Sequence, residues 1–285
     1  MTTIKAGYLI SYDYEFVKTS LPRIYDFVDE IYFAVDVDGK TWAGATLEID
    51  PQFWEWLKAF DKDQKITIYK DQFYVPSLGA MACETRERNL LAQKMGKADW
   101  YIQIDADEYY VDFEGFVAAL KAYKPVKPTS IYCSVATLFK ELPAGFLLID
   151  DSFETLCLAT NHPVYDLARN NNAENEKLHW DNLLLHQSWA RSADEIQQKL
   201  DNWGHKDDFN TKSFFKLWDA IDEHNYNFLR NFHPLDSHIW PKLTFFKGTI
   251  DEILNSGELK SFKTKNQGSV KKKNFFSRFW KKIRS

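Results

Sequence analysis

A chain of 285 residues with 45% hydrophobic side chains can bury a sizeable core, which excludes a disordered protein. Its three cysteines, Cys83, Cys133 and Cys157, are odd in number and widely spaced, which argues against a disulfide framework and a cysteine-based zinc site. The net charge of −5 hides a split: from Leu259 onward there are ten Lys and Arg and no Asp or Glu, leaving 26 basic against 41 acidic side chains before it, or −15.

In chain order, Tyr8-Leu9-Ile10 reads as a short strand ending at Ser11-Tyr12-Asp13, followed by a helical stretch to about Val28. Ile31 to Val35 is a second strand, ending at Asp36. Asp50 and Pro51 form an N-cap and first-turn pair for a helix through Phe60. Ile66 to Tyr69 is a third strand. Cys83 to Met95 is helical, with Gly96 as its stop. Trp100 to Ile104 is a fourth strand, ending at Asp105-Ala106-Asp107. Strands and helices alternating at this pitch predict an α/β fold with a mostly parallel sheet and helices on both faces. Ligands of such sheets bind at the carboxyl ends of the strands, where the polar and acidic residues gather.

The second half is less regular. Ile131 to Phe139 alternates like a strand, and residues 170–176 form a polar loop. Ser192 with Glu195 is a capping box opening a helix to Trp203, stopped at Gly204. Ser213 to Arg230 reads as helical. Arg191 and Lys199 read first as solvated helix-face cations, with a phosphate contact as the second reading.

Two carboxylates separated by one residue at a strand end can share a hard divalent cation, and such a cation can hold a diphosphate. Asp105 and Asp107 are therefore the candidate metal ligands. The segment Glu84-Thr85-Arg86-Glu87-Arg88-Asn89, then a helix, then Trp100 to Glu108, resembles family 2 glycosyltransferases of the GT-A fold. The resemblance covers roughly residues 4–110. It implies a nucleoside-diphosphate sugar donor, UDP foremost, Mn²⁺ or Mg²⁺ on the D-x-D, and an inverting displacement. It also implies a nucleotide grip by Ser11, Tyr12, Asp36, Arg88 and Asp105, and a third metal ligand, His186, from the second half. Arg88 has a second reading, an ion pair with Glu84 one turn back.

The chain departs from the family in two places. Its first loop is Ser11-Tyr12-Asp13 rather than Pro- or Thr-rich, and the Glu-Asp pair that often supplies the base is absent in that form. Asp181, beside Trp180 as a platform for the acceptor sugar, is the first candidate for the base, and Glu154 the second. The implied division is a GT-A domain at 1–245, with a nucleotide-sugar-binding half at 1–110 and an acceptor half at 111–245. A basic tail follows at 246–285.

In that tail Phe275, Phe276, Phe279, Trp280 and Ile283 make one apolar stripe flanked by Lys and Arg, the pattern of an interfacial amphipathic helix. The partners expected are a nucleoside-diphosphate sugar, a glycan or lipid-linked acceptor of surface polysaccharide or lipopolysaccharide synthesis, and an anionic membrane surface through residues 270–285. No nucleic acid is expected, because the acidic body repels it. The start lacks the layout of a signal peptide, and no apolar run is long enough to span a membrane. The expected location is cytoplasmic, at the inner face of the cell membrane. Two alternatives stay open: a catalytically silent membrane adaptor of the same shape, and a haloacid-dehalogenase-type phosphohydrolase. The latter's D-x-D normally lies near the chain start, with Thr or Val where this chain has Tyr109.

Overall fold

β1 (Ile4–Ile10) is buried along its whole length, as a strand covered on both faces must be. It lies at the centre of a parallel group in the computed structural model, which describes residues 2–257 apart from 172, and residue 259. β2 (Glu30–Asp36) pairs on one side of β1 and β4 (Trp100–Asp105) on the other, and β3 (Ile66–Asp71) extends beyond β2. The chain thus leaves β1 in opposite directions toward its two neighbours. That is the switch point outside which α/β sheets form their crevice.

Three helices cover these strands. α1 (Val17–Ile24) buries Val17, Leu21 and Ile24. α2 (Pro51–Phe60) starts as expected, with the Asp50 carboxylate accepting from Gln52 N at 2.8 Å. α3 (Ala80–Met95) ends at Gly96, whose φ of 63° suits a residue without Cβ.

Beyond residue 105 the sheet becomes mixed. β5 (Glu108–Tyr110) and α4 (Phe113–Ala122) lead to β6 (Thr129–Leu142), a long strand that organises this half. β7 (Gly145–Asp150) and β8 (Thr155–Thr160) run antiparallel to it, and β9 (Glu176–His186) runs parallel. β9 also pairs with β5, setting His186 opposite Glu108. α5 (Ala193–Asn202) opens on the expected capping box of Ser192 and Glu195. α6 (Thr211–Ala220) stops ten residues before the predicted Arg230. There the Asp222 carboxylate accepts from His224 N and Asn225 N while Asn225 Oδ1 accepts from Asp222 N, a side-chain turn that outcompetes further helix.

β10 (Lys242–Lys247) pairs antiparallel with β7, and α7 (Ile250–Asn255) follows. Ile253, Leu254 and Leu259 are buried against Leu148 and Phe246. The described part of 246–285 is therefore packed on the domain rather than extending from it. The amphipathic stripe and the expected membrane contact through residues 270–285 lie outside the described residues. Cys83, Cys133 and Cys157 are buried free thiols. No helix among the described residues is long and apolar enough to cross a membrane.

Candidate active site at the carboxyl ends of β1, β2 and β4

Ile10 is in register with Val35 of β2, and Leu9 with Asp105 of β4. The residues just beyond, Ser11-Tyr12-Asp13, Asp36 and Asp105-Ala106-Asp107, therefore emerge at one level on one edge of the sheet. His186 joins them from β9, because Gln187 N donates to Asp107 O at 2.9 Å. Ser11, Tyr12, Asp36, Asp105, Asp107 and His186 are thus gathered at that edge.

What they contact differs from expectation. Asp36 Oδ1 accepts from Asp38 N and Lys40 N, each at 3.0 Å, and Oδ2 from Phe73 N at 2.8 Å and Tyr74 N at 3.1 Å. Four backbone donors fill the capacity of one carboxylate. Asp36 ties together the loops after β2 and β3, which leaves it no lone pair for a nucleoside.

Arg88 is 1% exposed. Its Nη2 donates to Glu84 Oε1 at 2.9 Å and to Asp105 Oδ1 at 2.8 Å. The pairing with Glu84 is the i,i+4 bridge that spacing allowed. Through Nη2 Arg88 holds the first aspartate of the D-x-D, while its Nη1 is buried with no hydrogen-bond partner among the described residues. The neighbouring Asn89 exchanges hydrogen bonds of 2.9 Å with the backbone of Tyr165 in both directions. That anchors the loop that delivers Arg169, whose Nη1 donates to Glu108 Oε2 at 2.7 Å and whose Nη2 bonds Glu108 Oε1. Arg169 Nη2 also lies 4.0 Å from Asp105 Oδ2.

Asp107 is 2% exposed and surrounded by positive charge. Its Oδ2 accepts from Arg191 Nη2 and lies 3.7 Å from Lys199 Nζ, and its Oδ1 lies 3.4 Å from His186 Nε2. Arg191 Nη2 also donates to Asp13 Oδ2 at 3.2 Å, and its guanidinium sits 4.6 Å from the Phe16 ring centroid. Lys199 Nζ donates to Ser188 Oγ at 2.9 Å and faces the Trp189 ring. Arg191 and Lys199 are buried, not solvated.

These contacts set the charges. Burial would raise both carboxyls of the D-x-D. Arg88 and Arg169 outweigh it at Asp105, which is lowered. His186, Arg191 and Lys199 outweigh it at Asp107, which falls well below the ordinary carboxylate range. Burial works against the imidazolium of His186, but Asp107 raises it on balance. Burial, with Arg191 nearby, brings Lys199 down to about 8. Burial likewise raises Asp13 in spite of Arg191, and raises Tyr12, where Asp13 adds to it.

Asp105, Asp107 and His186, the expected ligands of a cation, are paired with one another and with guanidinium groups of the chain. Among the described residues no group of three or more His, Cys, Asp or Glu side chains is placed to hold a metal ion. Asp105 pairs with Arg88 through Oδ1, and Asp107 with Arg191 through Oδ2.

The two base candidates separate. Asp181 is exposed, between the Cys133/Trp180 and Ser134/Leu183 pairs where the β6–β9 register shifts. It is five residues from His186, roughly 16 Å along a strand. Trp180 is half-buried and packs edge-on against Phe116 and Tyr123 at the margin of the core. Glu154 instead lies beside the site. Its Oε2 accepts from Thr137 Oγ1 at 2.9 Å, and Thr137 is the register partner of His186. Burial raises the Glu154 carboxyl, partly offset by Thr137 and His186.

No family model matches the chain, and no curated protein matches it. Solved structures similar to parts of it include S. aureus TarS 1–349, at 15% identity over 47% of this chain and 36% of that one, with a TM-score of 0.32. The mannose-1-phosphate geranyltransferase of Thermus thermophilus is 11% identical over 55% of this chain and 50% of that one, with a TM-score of 0.27. The 4-diphosphocytidyl-2C-methyl-D-erythritol synthase of Anaerococcus prevotii is 13% identical over 78% and 85%, with a TM-score of 0.28. The chain thus spans half or less of the first two proteins.

Proposed function

We propose that this protein is a glycosyltransferase that moves a sugar from a nucleoside diphosphate to an acceptor hydroxyl. The observation that carries this reading is the gathering of Ser11-Tyr12-Asp13, Asp105-Ala106-Asp107, His186, Arg191 and Lys199 at the switch-point edge of the parallel strands. Such a crevice takes nucleotides in α/β sheets, and its cations suit a leaving group that becomes more anionic. The acceptor oxygen forms a bond to the anomeric carbon. The bond from that carbon to the β-phosphate oxygen breaks, and the nucleoside diphosphate departs with the electron pair. A carboxylate takes the hydroxyl proton. Glu154 fills this role better than Asp181, since it accepts from Thr137, the register partner of His186, beside the gathered site.

The acceptor class that goes with this reading is a surface glycan or a lipid-linked sugar. The basic residues after Leu259 would hold the protein at an anionic membrane.

The test is a panel of nucleoside-diphosphate sugars offered to the full chain with and without divalent cations, read by calorimetry and by donor hydrolysis. At least one donor should bind and turn over. Glu154→Gln should lower kcat by about 10²–10⁴-fold with little change in KM. Failure of every nucleotide to bind under both conditions would sink the reading.

A further inference from the structure

We propose that Arg191 and Lys199 form a built-in cationic seat that takes the donor's diphosphate without a divalent ion, with Asp107 and Asp13 as its internal counter-ions. This rests on the nucleotide-sugar reading above and specifies how the anionic end of the donor is held.

Four observations support it. Arg191 and Lys199 are each only 5% exposed. Two buried cations side by side are costly unless carboxylates or a bound anion compensate them. The carboxylates at hand are Asp107, shared by both cations, and Asp13, which meets Arg191 at 3.2 Å. His186 adds a further donor at 3.4 Å from Asp107, so three basic groups converge on one fully desolvated carboxylate.

The donors are also not used up. Arg191 brings five N–H donors, and its Nε is buried with no hydrogen-bond partner among the described residues. A buried, unpaired charged donor calls for a partner. Lys199 has three N–H donors and gives one to Ser188.

There is room beside Arg191. Arg191, Phe16, Gln187, Ala190 and Ser192 line a cleft of about 390 Å³, with Glu141 and Glu195 completing its wall. Arg191 supplies the positive charge of that lining, and Glu195 is tied to Ser192 N at 2.8 Å and Ser192 Oγ at 2.6 Å.

Finally, the place where a shared cation would mediate between carboxylates and phosphate already holds positive charge. Asp105 faces Arg88 and Arg169, and Asp107 faces Arg191 and Lys199. The D-x-D aspartates here orient protein cations, and those cations meet the phosphates.

The experiment is calorimetry of UDP and of inorganic pyrophosphate with the full chain, in EDTA and in Mn²⁺. Paramagnetic resonance of Mn²⁺ alone supplies a readout independent of activity. UDP affinity in EDTA should lie within about twofold of that in Mn²⁺. Lys199→Met, which keeps the side-chain length but removes the charge, should weaken binding in EDTA at least about tenfold, the scale of one charge-assisted hydrogen bond. Asp107→Asn should leave anion binding intact or tighten it, because it removes a competing counter-ion, whereas loss of a metal ligand would abolish binding. If Asp107→Asn does not fold, the Lys199→Met comparison in EDTA stands alone.

UDP binding that requires Mn²⁺ or Mg²⁺ would overturn the seat and leave the glycosyltransferase reading intact. Pyrophosphate binding in EDTA that depends on Lys199, without binding of any nucleotide, would uphold the seat and overturn the nucleotide reading. Absence of both would overturn both.

Discussion

Glu87 shows how this site shapes stability as well as chemistry. It lies on α3 one residue before Arg88, 5% exposed, and accepts from Trp42 Nε1 at 2.6 Å. Burial pushes its carboxyl up to about 8, against the pull of Trp42 and Arg88. The folded protein therefore keeps a proton that the unfolded chain releases near the ordinary value of 4.5. Between about pH 4.5 and 8 the native state binds more protons than the unfolded one, so this group's contribution to stability falls as pH rises. The slope is at most about 1.4 kcal/mol per pH unit. Glu87→Gln keeps an acceptor for Trp42 and removes the titration. Thermal unfolding should show the variant more stable than the parent at pH 8, with the advantage shrinking toward pH 5. A parent and variant with parallel pH profiles would contradict this.

Residues also show why part of the site was legible and part was not. Asp105 and Asp107 follow an apolar strand directly, so their placement at a strand end follows from local pattern. Their partners do not. Arg169 reaches Glu108 across 61 residues, and Arg191 reaches Asp107 across 84. Nothing in the local spacing of a polar loop or an amphipathic helix distinguishes a buried cation from a solvated one. Lys199 is buried because Trp189 and Ser188 close over it, a tertiary fact.

At the scale of elements, β1 to β4 could be read because each is a short apolar run closed by a polar or acidic residue and separated by a helix. The later strands are harder. β6, β8 and β9 carry register shifts at Ile131/Tyr132 and Cys133/Ser134, and β9 changes from alternating exposure to full burial near its end. Such strands break the period that sequence reading relies on.

The outer edge of this half depends on one close approach. Gly145 opens β7 with a φ of 157°, opposite Lys247 of β10, and a Cβ there would meet the carbonyl oxygen of Phe246 and lie 2.8 Å from Lys247 Cα. Both obstacles are backbone, so relief requires moving a strand. Gly145→Ala should cost about 1–3 kcal/mol in urea unfolding, the usual range for overpacking. Donor binding should be spared, since Asp105, Asp107, His186, Arg191 and Lys199 all lie outside β7 and β10. An unchanged midpoint would show that β10 is held less closely than this geometry requires.

At the scale of the whole molecule, the net charge of −5 is the difference between two regions of opposite sign. Part of the negative charge in the body is inward-facing: Asp105, Asp107 and Glu108 neutralise Arg88, Arg169, Arg191 and Lys199. The excess of acid must then lie mostly on the solvated surface, where it repels an anionic bilayer. Ten basic side chains after Leu259 oppose that repulsion. Each Lys or Arg close to an anionic surface contributes about 1 kcal/mol, within a screening length of about 8–10 Å. Removing residues 260–285 should therefore do two things at once. Co-sedimentation with vesicles rich in phosphatidylglycerol should be lost, while nucleotide affinity stays the same, because the described site draws on no residue beyond Lys199. Binding by the intact chain should also weaken steeply with added salt and with neutral phosphatidylcholine vesicles. Truncated protein that still pellets with anionic vesicles at low salt would place the membrane contact on the body instead.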